Sequence, residues 1–462
     1  MPNPLPLPGE GTFKKESLTM SVALNWPQLL STQRMEKPGE AAPTPAPFDS
    51  AERNTFEADY DRVVFSEPFR RLAKKTQVHP LAPNDHIHNR LTHSIEVASV
   101  GRSIAKKVQY FLQEQHPEYN DLFQAIPMIV QVGCLTHDIG NPPFGHAGEY
   151  AIREWMEAHL DMICPAQVSD ATRQDLLLFE GNAQGFRLAS RADNPCSGYM
   201  RLTFASLGSM IKYPWTSTDA RAAENKKFSV FASEEAIFGR MADAMGLVAT
   251  DGRVARHPLS FLTEAADDIC YRMLDMEDAV SMRIFPEQPV KELFLKLAGL
   301  EGRTDLPISK ARGMAIAALI DESLRVFCKY YTQIMAGEHP RDLKGDFSTR
   351  YNEGFAEVAE MYTEIFSHRA KLRYELGAYK MVGRIIKAFS LALQSLCKHQ
   401  DYAATPFISR KCLDLAWDVE YIQTHRHENY EWWLRQAFDF VSGLTDNYAI
   451  QISSEIEGIL TA

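Results

Sequence analysis

The sequence has no CxxC pair: its seven cysteines are scattered, and most sit among apolar residues. That excludes a zinc site on paired thiolates and a disulfide framework, and it is the pattern of reduced core thiols in a cytoplasm. No uninterrupted apolar run is long enough to span a bilayer. No basic region followed by an apolar stretch opens the chain, so no secretory signal is read there. Positive charge is not in excess either, with 49 Lys+Arg against 60 Asp+Glu and a formal net charge of −11. A dedicated nucleic-acid coat would be basic, so DNA binding is not the main task, although an anionic ligand would still need a local basic patch. Alternating strand-like runs are few and short, and no repeat of 20–50 residues stands out.

What is present is 462 residues, 45% of them hydrophobic, with a mean hydropathy of −0.27. This is enough for a large buried core in one big domain or two of a soluble protein. Prolines crowd the start (Pro2, Pro4, Pro6, Pro8, then Pro43, Pro45, Pro47). That composition does not build a core element, so residues 1–52 are read as a flexible or draped arm, within which Met20 offers an alternative start. From about Phe56 apolar residues recur at three- and four-residue spacing. The clearest windows are Ile95–Phe111, Met128–Leu135, Ala147–Met156, Phe261–Val280, Gly313–Met335 and Lys380–Leu396. The expected class is all-α, a helical bundle. Turn-forming residues mark 193–197 and 213–223 as loops.

The strongest chemical signal is His137-Asp138 in Cys-Leu-Thr-His-Asp-Ile-Gly-Asn-Pro-Pro-Phe-Gly-His146-Ala-Gly-Glu149. An imidazole and a carboxylate at a helix end can turn toward one ion, and Gly140 with Pro142-Pro143 keeps that ion approachable. His93 lies upstream in Arg90-Leu-Thr-His-Ser. Downstream, Asp267-Asp268 lies in an apolar helical segment where adjacent aspartates need a cation or donors. Two imidazoles and two carboxylates form a mixed shell suited to Mn²⁺, Mg²⁺, Fe²⁺, Co²⁺ or Ni²⁺ with positions left open. His79, His86 and His88 crowd the same stretch, but Pro80, Pro83 and Asn84 mark irregular chain, so they are read as loop histidines.

The order His…His-Asp…Asp resembles the HD superfamily of metal-dependent phosphohydrolases. The longer likeness is to bacterial deoxyguanosinetriphosphate triphosphohydrolases. It runs through Arg70-Arg-Leu-Ala-Lys-Lys-Thr-Gln-Val, Asn89-Arg-Leu-Thr-His-Ser, His137-Asp-Ile-Gly-Asn-Pro-Pro-Phe-Gly-His, Phe179-Glu-Gly-Asn-Ala-Gln-Gly and Glu264-Ala-Ala-Asp-Asp-Ile. Weaker similarity continues through Phe366-Ser-His and Ser442-Gly-Leu-Thr-Asp, so the likeness spans residue 53 to the end; the proline-rich arm departs from it.

The resemblance implies an HD-domain helical core at 53–290, followed by a helical C-terminal region at 291–462 that completes the active site and the oligomer interface. It implies His93, His137, Asp138 and one aspartate of the 267–268 pair as metal ligands. Helical geometry favours Asp267, because Asp267, Tyr271 and Asp275 fall at i, i+4 and i+8 on one face, leaving Asp268 to pair with Arg272. His146 and Glu149 match the family's acid–base pair near the α-phosphorus. Arg90 matches the α-phosphate arginine, and Lys212, Tyr213 and Lys227 the residues along the phosphate chain; Lys226 beside it is read as solvated. Gln77 with Asp275 would read the 3′-hydroxyl, Tyr271 would pack on the sugar and crowd C2′, and Asn182 is a further polar residue of the site.

Glu375 and Arg435 resemble guanine-side residues. The implied reaction is hydrolysis of dGTP, with other dNTPs as alternative substrates, to deoxynucleoside and tripolyphosphate. The implied cofactor is Mn²⁺ or Mg²⁺ before Fe²⁺, Co²⁺ or Ni²⁺. A cytoplasmic homo-hexamer is expected, with a tetramer as the alternative, and control by a nucleotide or single-stranded DNA effector is compatible with the family. The competing readings are an HD phosphohydrolase acting on another nucleotide and a non-catalytic HD protein. A monophosphate gives the lysines no task, and a non-catalytic protein would have no need of the full ligand set.

Overall fold

The computed structural model describes residues 22–36, 54–78, 86–191, 200–367 and 369–459. Among them the chain is all-α, and only isolated β-bridges occur. The helices used below are α1 (Thr55–Val64), α2 (Arg90–Gln115), α3 (Ile126–Thr136), α4 (His146–Ile163), α5 (Gly181–Ser190), α6 (Phe204–Met210), α7 (Ser260–Ser281), α8 (Glu287–Ala298), α9 (Ile308–Lys329), α10 (Thr349–Ser367), α11 (Arg369–His399), α12 (Tyr430–Gly443) and α13 (Asp446–Ile456). Each of the six apolar windows falls in helix, the window over 313–335 dividing between α9 and the short Tyr331–Met335 helix. No described helix is long and apolar enough to cross a membrane.

Helix α3 is apolar on every side (Ile126, Ile129, Val130, Val132, Cys134 and Leu135 are buried), which makes it the centre of the bundle rather than a surface helix. Helices α1, α2, α6 and α7 pack around it. A second apolar group gathers α4, α11, α12 and α13. Helix α4 meets α11 closely: a Cβ on Gly383 would lie 2.2 Å from the Trp155 ring, so only glycine allows this approach.

Helices α8, α9 and α10 bury Val290, Phe294, Phe327, Val358 and Ile365 in the same core as α2 and α3. Two sequence expectations need correction. The 213–223 loop ends in a short helix, Ala220–Asn225, capped by the Asp219 side chain. The arm does hold a core element: in 22–36, Trp26, Leu29 and Leu30 are at most 2% exposed. Burial of each such leucine contributes about 1.5–3 kcal/mol, and composition dominated by proline hid this short run. Nε2 of His257 donates to the Leu29 carbonyl at 3.0 Å, while its Nδ1 accepts from the Leu259 amide at 3.1 Å. The ring is therefore neutral, and burial pushes its pKa down to about 4. The rest of the arm and the 193–197 loop lie outside the described residues.

Candidate metal centre and nucleotide cavity

Three helix ends and one helix face converge on a single cavity. At the start of α2, the Asn89 side chain accepts from the amides of Leu91 and Thr92 at 3.0 Å, while Thr92 Oγ1 accepts from the Asn89 amide at 3.1 Å. This reciprocal cap fixes the first turn, which carries Arg90 and His93 inward. His137 closes α3, and its Nδ1 lies 2.6 Å from the Cys134 carbonyl. A carbonyl only accepts, so Nδ1 holds the proton and Nε2 is free to ligate. The loop beyond it can press close because Gly140 has no side chain: a Cβ there would sit 2.1 Å from the Gly185 amide nitrogen on α5. Phe144 (φ 69°) and Gly145 (φ 60°) then turn the chain into α4. A left-handed phenylalanine costs about 1–3 kcal/mol and persists only when its surroundings impose it.

His93, His137 and Asp267 offer ligand atoms that all lie within 4.8 Å of one another. His93 Nε2 is 3.1 Å and His137 Nε2 is 3.5 Å from Asp267 Oδ1. Burial would raise the Asp267 pKa, but His137 and His93 hold it well below the usual carboxylate range. Burial likewise opposes the His137 imidazolium, yet Asp138 and Asp267 push its pKa up to about 9. The pocket is thus built to hold positive charge between carboxylates, which fits a divalent ion. Asp138 is the looser member: its Oδ1 is 3.6 Å from His137 Nε2, but it also accepts from Asn141 Nδ2, and its Oδ2 accepts from Arg90 at 2.6 Å. Asp268 turns away, bonded to Arg272 and Lys344, each at 2.9 Å.

His146 and Glu149 stand beside this group, Nδ1 3.2 Å from Oε2. Burial works against ionisation of Glu149, but Lys227, His146 and Arg153 hold its pKa below the ordinary value, and its Oε1 accepts from the Gly181 amide at 2.6 Å. On the walls, Lys212 pairs with Glu264 at 2.8 Å and Lys227 with Glu180 at 2.9 Å, whereas Lys226 is exposed. Tyr213 and Tyr271 line the cavity, and Asn182 Nδ2 donates to Glu180 at 2.7 Å. Asp275 is buried, which pushes its carboxyl pKa up to about 7, and it accepts from Tyr362 at 2.6 Å. Gln77 presents a buried Oε1 with no hydrogen-bond partner. Glu375 also lines the cavity.

Arg435 does not reach the cavity. It bonds Asp175 at 2.9 Å and Thr172 at 2.6 Å in a separate small pocket between α5 and α12. Within the single chain the buried Asp175 carboxylate holds it. His86 and His88 are not drawn to the metal group either; His88 Nδ1 bonds Asp278 at 2.7 Å, and His79 lies outside the described residues.

Sequence reasoning missed Glu180, Tyr362, Tyr374, Lys75 and Asp446. Glu180, Lys75 and Asp446 stand inside stretches already compared with the family. Their tasks depend on partners tens to hundreds of residues away, which spacing alone does not reveal.

The HD domain family profile matches residues 90–164. A Pseudomonas aeruginosa relative, named deoxyguanosinetriphosphate triphosphohydrolase-like protein, is 38% identical over 94% of this chain and 99% of its own. The chain belongs to the deoxyguanosinetriphosphate triphosphohydrolase family of HD-domain hydrolases. A Synechocystis member with the same name is 34% identical over 94% of this chain and 100% of its own. An Enterobacter member named deoxyguanosinetriphosphate triphosphohydrolase is 29% identical over 85% and 92%. The family match places α2, α3 and the loop to α4 in the HD unit, where His93, His137 and Asp138 stand.

Proposed function

We propose that this chain hydrolyses deoxynucleoside triphosphates at the α-phosphorus, with dGTP preferred, releasing deoxynucleoside and tripolyphosphate. The observation that carries this reading is the convergence of His93, His137 and Asp267 at 4.8 Å or less beside the His146–Glu149 pair, in a cavity also lined by Lys212 and Lys227. His93, His137 and Asp267, with Asp138, would hold a divalent ion, Mn²⁺ or Mg²⁺ before Fe²⁺, Co²⁺ or Ni²⁺. A bound ion of this kind supplies Lewis-acid polarisation of a phosphoryl oxygen.

The chain's own groups do the rest. Glu149, held anionic, orients the His146 ring, which is exposed enough to exchange protons with the attacking water or the leaving oxygen. Arg90 has a buried Nε without a partner and, with Lys212 and Lys227, meets the charge of the phosphate chain. Asp275 accepts from the 3′-hydroxyl, and the Gln77 amide donates to its oxygen. Tyr271 packs on the sugar and leaves no room for a 2′-hydroxyl, so GTP is rejected sterically. Glu375 accepts from guanine N1–H and N2–H.

With Arg435 engaged elsewhere, Glu375 is the one base-side group carried over from the sequence reading. That favours, as the second reading, broad action on all four dNTPs. Six described cysteines are free, in keeping with a cytoplasmic protein. Exposed Leu372, Leu376, Phe407 and Ile408 offer apolar surface for a neighbouring copy; the family resemblance alone orders the homo-oligomer as a hexamer before a tetramer.

The test incubates purified protein and Mn²⁺ or Mg²⁺ with each dNTP and GTP, and separates products by anion exchange. Tripolyphosphate is expected, with kcat/KM for dGTP at least about tenfold above dATP, as one or two unpaired polar groups would impose. Equal rates on the four dNTPs would leave the broad reading; release of pyrophosphate or monophosphate would end both.

A further inference from the structure

Between α12 and α13 the chain crosses the loop that runs from Asp138 to His146. Lys75 Nζ ties the two together, donating to the carbonyls of Asn141 and Ser442, each at 2.6 Å. Arg71 adds a bond to the Gly443 carbonyl at 2.9 Å. The centre of the crossing is Asp446, 3% exposed. Its Oδ1 accepts from the Phe144 amide at 2.8 Å, and its Oδ2 accepts from the Thr76 amide at 2.8 Å and from Tyr374 Oη at 2.7 Å.

Each of those donors lines the cavity and stands close in the chain to another lining residue. Phe144 stands two residues before His146, Thr76 is next to Gln77, and Tyr374 is next to Glu375; Asp446 itself is not part of the lining. An acid in the first turn of a helix ordinarily serves that helix. Here the cap of α13 is already made by Thr445, whose side chain accepts from the Tyr448 amide. The bonds that Asp446 makes to Phe144, Thr76 and Tyr374 all leave its own helix for three remote segments. The Phe144 contact bears most directly on chemistry. Phe144 and Gly145 are both left-handed, and His146 is the first residue of α4. The Phe144 amide is pinned by Asp446 and its ring packs edge-on against Tyr374 at 5.1 Å. The direction from which His146 meets the cavity follows from that pin.

We propose that Asp446 is a positioning residue for the reaction: by accepting from the amides of Phe144 and Thr76 it sets His146 and Gln77 over the cavity. Its chemistry rests on the triphosphohydrolase reading above.

The test compares full-length Asp446→Asn with Thr445→Ala. Asparagine offers one oxygen where two are used, so either Phe144 or Thr76 faces an amide nitrogen. Asp446→Asn is expected to bind Mn²⁺ at wild-type stoichiometry, to lose at least about tenfold in kcat, and to lose preference for a dNTP over its 3′-deoxy analogue. Thr445→Ala removes the cap of the same helix without touching those bonds; it should lower Tm and leave kcat and that preference unchanged. If both variants lower Tm and share wild-type kcat, Asp446 is structural and the proposal is overturned. Asp446→Glu keeps the charge and both oxygens at another reach and serves where the asparagine variant does not fold; wild-type kcat in it counts equally against the proposal. Amide exchange separates this inference from the function it rests on. Faster exchange confined to Phe144 and Thr76 is expected whether or not the wild type cleaves dNTPs, and unchanged exchange at both overturns the positioning role. A wild type inactive on all dNTPs counts against the reaction instead.

Discussion

Two buried sets of cations and carboxylates lie in this molecule, and they differ in what they leave undone. Around Arg435 the charges close on one another: Arg435 on Asp175, and Arg187 on both Asp439 at 2.8 Å and Glu234 at 2.5 Å. The space among them is small and flanked by Phe179, Phe231 and Phe438. In the main cavity the pairs are also present, yet Gln77 Oε1, Arg90 Nε and Thr263 Oγ1 remain without hydrogen-bond partners, and three metal-type ligands face one point. Burial, charge and an incompletely bonded polar atom, in the Arg435 set Asp175 Oδ2, are common to both. The convergence of His93, His137 and Asp267 separates a site from a rivet.

Five substitutions and one titration probe that contrast. The largest effect is expected from Asp267→Ala, which should lose bound metal by elemental analysis and all measurable turnover. Asp268→Ala should keep its metal, since that side chain faces Arg272 and Lys344; the reverse result would exchange the roles of the two aspartates. His146→Ala comes next: metal is retained and kcat falls by about 10²–10⁴, the worth of a positioned proton-transfer group. A wild-type rate constant would remove His146 from the chemistry.

Arg435→Ala tests the other set. It strands a buried carboxylate, so a loss of about 3–5 kcal/mol in denaturant unfolding is expected, with the ratio of dGTP to dATP turnover unchanged. A collapsed ratio at unchanged stability would return Arg435 to the base, by way of a neighbouring copy. The smallest effect is the pH response of Asp275. Its carboxyl is raised to about 7 by burial, so the acceptor form is lost as pH falls below that value. kcat/KM for the dNTP should therefore drop by up to about tenfold per unit on the acid side. Asp275→Asn should flatten that limb; an unchanged slope would assign it to another group.

Legibility follows the same division. Helices α2, α3, α4, α7, α9 and α11 are readable because one face, or in α3 every face, is apolar at helical spacing. His137-Asp138 and Asp267 stand out as candidates because ligand and neighbour lie within a turn or two of each other. Arg435 is ambiguous in the sequence because an arginine among aromatics looks the same whether it faces a base or an internal aspartate. Tyr362, Tyr374 and Asp446 were passed over because their partners are 72–370 residues away. No periodicity carries that information. The arm was misjudged because proline content averages over a window, while Trp26, Leu29 and Leu30 act one by one.

That short segment also bears on how the chain is trimmed. The amides of Val22 and Leu24 donate to the carbonyls of Ala336 and Met335, the Gln33 carbonyl accepts from the Phe204 amide, and Arg34 pairs with Asp59. One stretch of fifteen residues, 22–36, therefore laces an early helix, the middle of the chain and its second half. A chain begun at Met20 keeps every one of these ties. A chain begun at Met35 loses all of them and bares the pocket of Trp26, so cleavage between the two methionines is damaging.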